Sequence, residues 1–540
     1  MRNTLYIYIL AATLLLLGCK PKVEVPNQFT ETNTEAQIYP DYRDIVVPPN
    51  IAPLNFIVRD SLATAYVAHL KGKGEELLAA ASKDGIIKMD TTEWRTLLTA
   101  NKGNDVSIDV YAKRPDGWVH FKPYKISVAE EPIDAFLTYR LIEPGYELYR
   151  QLGIYQRNLT TFDEVPVYEN NREYNDGENH CINCHNYRMG NTESMLFHVR
   201  SNHSGTIIVQ DGKAHKVQFK DSTIITSGVY PSWHPTENLV AFSTNKTGQA
   251  FHIYYPEKLE VMDEKSDLLL YDVTKNEVCH IIRTTDDMET FPCWAPDGRT
   301  LYYCSAKRNC LLDPSLPDSL ITQQLLLKFD SVRYNLMSIP FDPKTRSFGR
   351  PQMEVNAAAE SKSVSVPRVS PDGRYLLYTK GDYGQFHIWH KSSDLWVKDL
   401  QTGECYPLTE ANSPDVDSFH SWSSNSRWFV FSTRRMDANY TRLFIAYFDK
   451  DGKAHKAFAI PQEDPEWNIL FLKSYNVPEL SRNAVSISPQ ELHQCIYETE
   501  GENATYKPNP TAIVVLDGMT GASPKKPVDG TSGASPKKPE

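Results

Sequence analysis

The sequence predicts a mainly β protein: a large domain of repeated short strands, with a small β-sandwich-like domain and a short helical segment before it. Three observations predict this. Four segments of the second half share one pattern of an anchor residue, a polar turn and a short apolar strand. Turn-formers and strand-favouring aromatics are plentiful, with 35 Pro, 30 Tyr and 21 Phe against 26 Gly in 540 residues, a mixture suited to short strands joined by turns. The first half carries alternating runs such as Val106-Ser-Ile-Asp-Val-Tyr111, and a period of two marks a half-buried strand.

In chain order, residues 1–19 read as an export address. Arg2 supplies the positive start, residues 5–17 an apolar run, and Leu16-Leu17-Gly18-Cys19 ends with a small residue before a cysteine, the arrangement required for cleavage and lipidation at Cys19. The apolar run is too short to favour a spanning helix. Residues 20–36 are polar and read as a tether. The body is therefore expected in the cell envelope, lipid-anchored, on the periplasm-facing side of the outer membrane, with surface display as the alternative. Residues 37–170 read as the β-sandwich-like domain, with a helix over 92–100 and a second helix within 133–155. Residues 171–204 are the expected haem-binding segment and 205–518 the repeat domain. Residues 519–540 repeat Gly-Ala-Ser-Pro-Lys-Lys-Pro twice, which cannot bury a core and is expected to be a disordered tail.

The chain has nine cysteines, and one cluster has chemically specific spacing: Cys181-Ile182-Asn183-Cys184-His185. Two thiols so spaced can add across the two vinyl groups of one haem, with the adjacent imidazole beneath the iron. For a chain of this composition, chance gives the motif about 0.004 times. A redox dithiol or a disulfide would not need His185, and a zinc site would need two further ligands. The reading is one covalent haem c held by Cys181 and Cys184, with His185 as an axial ligand. Residues 191–200 predict a short helix on which Met195 and His198 share a face; Met195 is the expected sixth ligand and His198 the alternative.

The repeat follows. Pro231-Ser-Trp233-His-Pro235, Pro292-Cys-Trp294-Ala-Pro296-Asp297-Gly298, Pro367-Arg-Val-Ser-Pro371-Asp372-Gly373 and His420-Ser-Trp422-Ser-Ser each lead into a short strand ending near Phe242, Tyr303, Tyr378 and Phe431. The Asp-Gly pairs are turn residues, and the long spacing between anchors implies loop insertions on one face. This repeat resembles the β-propeller of the translocation protein TolB and its relatives over residues 205–516, and the resemblance implies six blades closed by strands from both ends. TolB itself has no C-x-x-C-H. The whole arrangement resembles Bacteroidetes lipoproteins in which a c-type haem motif precedes such a propeller.

With 57 basic and 68 acidic residues and a formal net charge of −11, and no basic stripe, nucleic acid is excluded as a partner. No G-x-S-x-G elbow, H-E-x-x-H, P-loop or G-x-G-x-x-G occurs. The expected function is electron transfer between the haem and a protein partner docked on the propeller. The alternative is a propeller that binds or scaffolds envelope material, with haem as a sensor or structural element. A haem enzyme would need an open iron position and a substrate pocket.

Overall fold

The computed structural model describes residues 23–143, 151–172, 177–251, 259–308 and 327–515, together with positions 257, 320, 323 and 324. The export address and the repetitive tail lie outside these residues. The described chain is mainly β, a propeller-like arrangement of many antiparallel sheets.

The N-terminal domain holds a seven-stranded sheet and a three-stranded sheet. The alternating runs become the strands Asp105–Arg114 and Gly117–Lys122. The helix read over 92–100 spans Thr91–Ala100 and buries Trp94, Leu97 and Leu98. It starts at Asp90, whose carboxylate accepts from the backbone N–H of Thr92 at 2.8 Å and of Glu93 at 3.1 Å, satisfying two of the donors a helix start leaves open.

Six sheets follow in sequence. The second to sixth begin with the strands His180–Arg188, Gly228–Trp233, Asp287–Trp294, Ser363–Val369 and Asp417–Trp422. The first sheet combines Phe136–Ile142, Leu152–Asn158 and Glu164–Glu169 with Ser474–Ser481 from near the end of the chain. The strand Ser474–Ser481 and the five leading strands touch one another in succession, and His180–Arg188 touches both Gly228–Trp233 and Ser474–Ser481, so the series returns on itself. The sheets thus draw in residues 136–201, outside the 205–518 span read as the repeat domain.

Two helix expectations are corrected. Within 133–155 the described residues are the strands Phe136–Ile142 and Leu152–Asn158. Leu137, Tyr139 and Leu141 are buried at every second position, and both edges of their strand are taken by neighbouring strands. The haem segment is a hairpin of His180–Arg188 and Asn191–Ser201, again set by ladder pairing on both sides.

Because the strands alternate in direction, connections between second and third strands emerge at the same end as those between sheets. The five-residue turns 234–238, 295–299, 370–374 and 423–427 lie at the other end. The long connections 382–393 and 434–441 lie at the loop end, as the anchor spacing implied. The turn glycines give a paired test. Gly298 (φ +67°) and Gly373 (φ +76°) occupy equivalent left-handed positions, but a Cβ on Gly298 would collide with the His234 ring while one on Gly373 meets nothing within 4 Å. Gly373→Ala should cost about 1–2 kcal/mol from backbone strain. Gly298→Ala should cost a further ~1–3 kcal/mol from overpacking. Equal midpoints for the two variants in denaturant unfolding would contradict the fold at this turn.

Candidate functional site

Each ring strand carries one non-glycine residue at positive φ: Cys184 (55°), Tyr230 (47°), Phe291 (51°), Val366 (51°), Phe419 (47°) and Val477 (46°). At each of these places the ladder register slips, so two residues of the ring strand face one on its neighbour, which is a β-bulge. The next residue is Pro231, Pro292, Pro367 or Pro478 in four sheets and His185 or His420 in the other two. Proline suits a position that has lost its ladder partner. Two positions further on come the anchors Tyr187, Trp233, Trp294, Val369, Trp422 and Leu480, all buried except the half-buried Val369. Cys184-His185-Asn186-Tyr187 is therefore one copy of the same device as Tyr230-Pro231-Ser232-Trp233.

The bulges pack together. The Tyr230 and Phe291 rings lie 4.1 Å apart, Phe291 and Phe419 6.5 Å, and Phe419 and Phe386 5.7 Å. Val366 joins the same apolar cluster and Val477 packs on it. Cys184 is half-buried and close enough to Tyr230 to act on its hydroxyl electrostatically.

The residues expected to hold haem divide as follows. Cys181 is buried and unpaired, and Cys184 is unpaired. Burial pushes the Cys181 thiol up, against the opposing effect of Arg140 and Arg200, which disfavours a reactive thiolate. His185 is 3% exposed. Burial, aided by Arg140, lowers it to about 3, and the Thr138 backbone of the first sheet lies beside the ring. Neither ring nitrogen completes a hydrogen bond. The equivalent His420 donates through Nε2 to the Leu377 carbonyl of its own neighbouring sheet at 3.1 Å. Met195 packs in one apolar cluster with Cys181, Ile182 and Tyr187. His198 lies on the other face, its Nδ1 2.9 Å from the Thr206 hydroxyl and its ring against Phe242. Positions three apart on a strand point to opposite faces, so Met195 and His198 do not share one.

The donor types suit a c-type haem, since two thiols are unpaired and a buried imidazole has orphaned nitrogens. Their placement does not fit it. The imidazole is closed into the contact between two sheets, in the position of a proline, where a macrocycle over either nitrogen would displace the neighbouring strand.

A second group, not found from the sequence, lies toward the loop end of the third and fourth sheets. Asp263 accepts from Asn245 Nδ2 and the Tyr334 hydroxyl, each at 3.0 Å, and burial raises it to about 6. Burial also raises Asp267 to about 7. Glu289 is held well above the carboxylate range by burial and by Asp267. Nearby, Glu260 accepts from the Tyr383 hydroxyl at 2.8 Å and pairs with His390 at 3.0 Å. Carboxyls tuned toward neutrality are marks of functional sites. Two acids four apart in a strand that runs on into Leu268-Leu-Leu-Tyr271 were the signal available in the sequence. Among the described residues no three such groups form a metal site.

No family model and no curated protein matches the chain. Among solved structures it is similar to prolyl oligopeptidase B from Galerina marginata, at 11% identity over 65% of this chain and 41% of that one, with a TM-score of 0.33. It is also similar to an oligogalacturonate lyase in complex with manganese (11% identity, 77% and 99% covered, TM-score 0.27). A DUF4784 family protein from Bacteroides caccae is similar too (12%, 73% and 98%, 0.24). The chain thus spans about two fifths of the oligopeptidase, and at these scores the propeller-like arrangement stands on the hydrogen-bonded sheets of the chain itself.

Glu479 gives a pH test of the bulge site. It accepts from Asn186 Nδ2 at 3.1 Å and from the Tyr187 N–H at 3.0 Å, and burial raises it from 4.5 to about 8. The folded state holds this proton more tightly than the unfolded chain. Its contribution to stability is therefore full below about pH 4.5 and lost as pH rises through about 8. Glu479→Gln removes that loss, so urea unfolding should show the variant gaining on the parent between pH 5 and 8. A difference independent of pH would refute the assignment.

Proposed function

We propose that the chain is an exported lipoprotein of the cell envelope, anchored through Cys19, in which a six-bladed TolB-like propeller works by binding an envelope protein. The blade count is supported by six sheets whose ring strands touch in a closed series. The observation that favours binding over electron transfer is the bulge repeat: it gives His185 a structural place shared with four prolines and His420. Binding is also favoured by the uneven loops gathered at one end, the usual location of recognition on a rigid scaffold, and by the tuned carboxyls Asp263 and Asp267 in that half of the sheets.

The second reading keeps the haem c on Cys181 and Cys184 with His185 at the iron. The orphaned nitrogens of His185 favour it. It requires the hairpin to come away from the first sheet so that the imidazole leaves the contact. Bound there, the haem would supply one-electron chemistry, and docking to a redox partner would follow.

Two measurements on the full chain, expressed with a cytochrome c maturation apparatus, separate these. Labelled palmitate should enter the parent and not Cys19→Ala. A pyridine haemochrome spectrum should lack a c-type band. A c-type band in the parent that vanishes in Cys181→Ala/Cys184→Ala would overturn the binding reading in favour of electron transfer.

A further inference from the structure

Unmet hydrogen-bonding capacity gathers at one place at the loop end. The connection 382–393 of the fifth sheet crosses to the long strand Leu259–Asp272 of the third. Its Tyr383 hydroxyl donates to one oxygen of Glu260 at 2.8 Å, and its His390 pairs with the other at 3.0 Å. Phe386 packs on Phe419 at 5.7 Å, which seats the connection on the ring strands. Between these ties stands Gln385, 1% exposed, and neither its Oε1 nor its Nε2 completes a hydrogen bond. The Tyr230 hydroxyl lies beside this amide and within the field of Asp263.

A buried amide without partners costs free energy, and each such group calls for an explanation. The surroundings repeat the pattern. Asn245 gives its Nδ2 to Asp263 at 3.0 Å while its Oδ1 is buried without a donor. Trp389 Nε1 is buried without an acceptor.

The unpaired set mixes the two kinds of group. Asn245 Oδ1 and Gln385 Oε1 only accept, whereas Gln385 Nε2 and Trp389 Nε1 only donate. A cation satisfies only the first two and an anion only the last two. An anion is also opposed by Glu260, Asp263 and Glu264 on the one strand, and among the described residues no three acidic, His or Cys groups form a metal site. A hydroxyl serves both kinds, because it donates and accepts. Tyr383, Phe386 and Trp389 are half-buried, so the polar groups stand behind aromatic rings that reach the surface. Aromatic walls with a few placed polar groups are the make-up of a small-molecule site.

We propose that the connection 382–393 and the strand Leu259–Asp272 form a binding site for a neutral sugar residue. Its hydroxyls pair with Gln385, Asn245 and Trp389, and its C–H faces lie against the aromatic rings of the connection. The site goes beyond the binding of an envelope protein and rests on neither the lipid anchor nor the haem.

The test is saturation-transfer NMR on the full chain with D-glucose, D-galactose, D-mannose and N-acetyl-D-glucosamine in millimolar excess, and triglycine beside them. At least one sugar should receive saturation. Gln385→Met should lower its affinity at least about tenfold, and Trp389→Phe should lower it while keeping the ring, each with an unchanged near-ultraviolet circular dichroism spectrum. Gln385→Met should also raise the thermal midpoint of the free protein, because an apolar side chain replaces an unpaired buried amide. No transfer to any of the four sugars, or equal transfer in both variants, overturns the inference. Saturation of triglycine alone overturns it in favour of a peptide site. A lowered midpoint in Gln385→Met overturns it too, since the amide is then satisfied in the free protein by ordered water only.

Discussion

The pairing of Ser474–Ser481 with Phe136–Ile142 is the constraint on which the rest depends. Six Cα partners from Phe136↔Ser481 to Ile142↔Ser474 join the end of the sheet series to its start. Without them the first sheet exposes an edge that could pair with another chain, and the ring strands have no closed path. The same junction brings in side chains from far along the sequence. The Gln156 amide donates to Ser481 Oγ at 3.2 Å and accepts from the Val485 N–H at 2.8 Å. The N-terminal domain is tied in too, since Trp428 Nε1 donates to the Glu131 carbonyl at 3.0 Å and Asn55 Nδ2 to the Glu463 carbonyl at 3.0 Å. One apolar cluster runs from Ile45 and Trp94 through Tyr139 to Trp428, Ile445 and Leu480. Contacts so distant in sequence make folding slow and all-or-none at this junction.

The bulges follow from closure. A ring strand must bend to let its side chains meet at the axis, and a bulge bends a strand at the cost of one residue in a disfavoured conformation. Positive φ at Val366 and Val477 is costly for a β-branched residue, of order 1–3 kcal/mol each. It persists because packing of Tyr230, Phe291 and Phe419 over-determines the geometry. The side chains of the bulges thereby pack on one another where the ring strands meet.

Much of this was legible in the chain. The helix read over 92–100 is the helix Thr91–Ala100, and the four anchor segments marked the third to sixth sheets, two of them with a Pro-Asp-Gly turn. The first and second sheets were not legible, for a physical reason. The first is built from segments more than 300 residues apart, and no local pattern reports a partner at that distance. In the second, Tyr187 stands where three of the other sheets carry a tryptophan and His185 where four carry a proline, so the punctuation that identified the repeat was missing. Residues 191–200 have an apolar content that suits helix or strand equally, and only the ladders on both sides decide it.

What the repeat does not account for is the thiols. Architecture explains a bulge at Cys184, an imidazole at His185 and an aromatic at Tyr187, because each has counterparts around the ring. It does not ask for sulfur at 181 and 184: the residues at the Cys184 position elsewhere are Tyr, Phe, Val, Phe and Val, any of which would fill the axis better. Two thiols three apart can be oxidised to a pair where the surroundings are oxidising, and both are unpaired here. Burial keeps the Cys181 thiol protonated and slows that chemistry while the hairpin stays docked on the first sheet. Among the described residues the motif is one bulge of six, with both thiols unpaired and the imidazole closed against the first sheet.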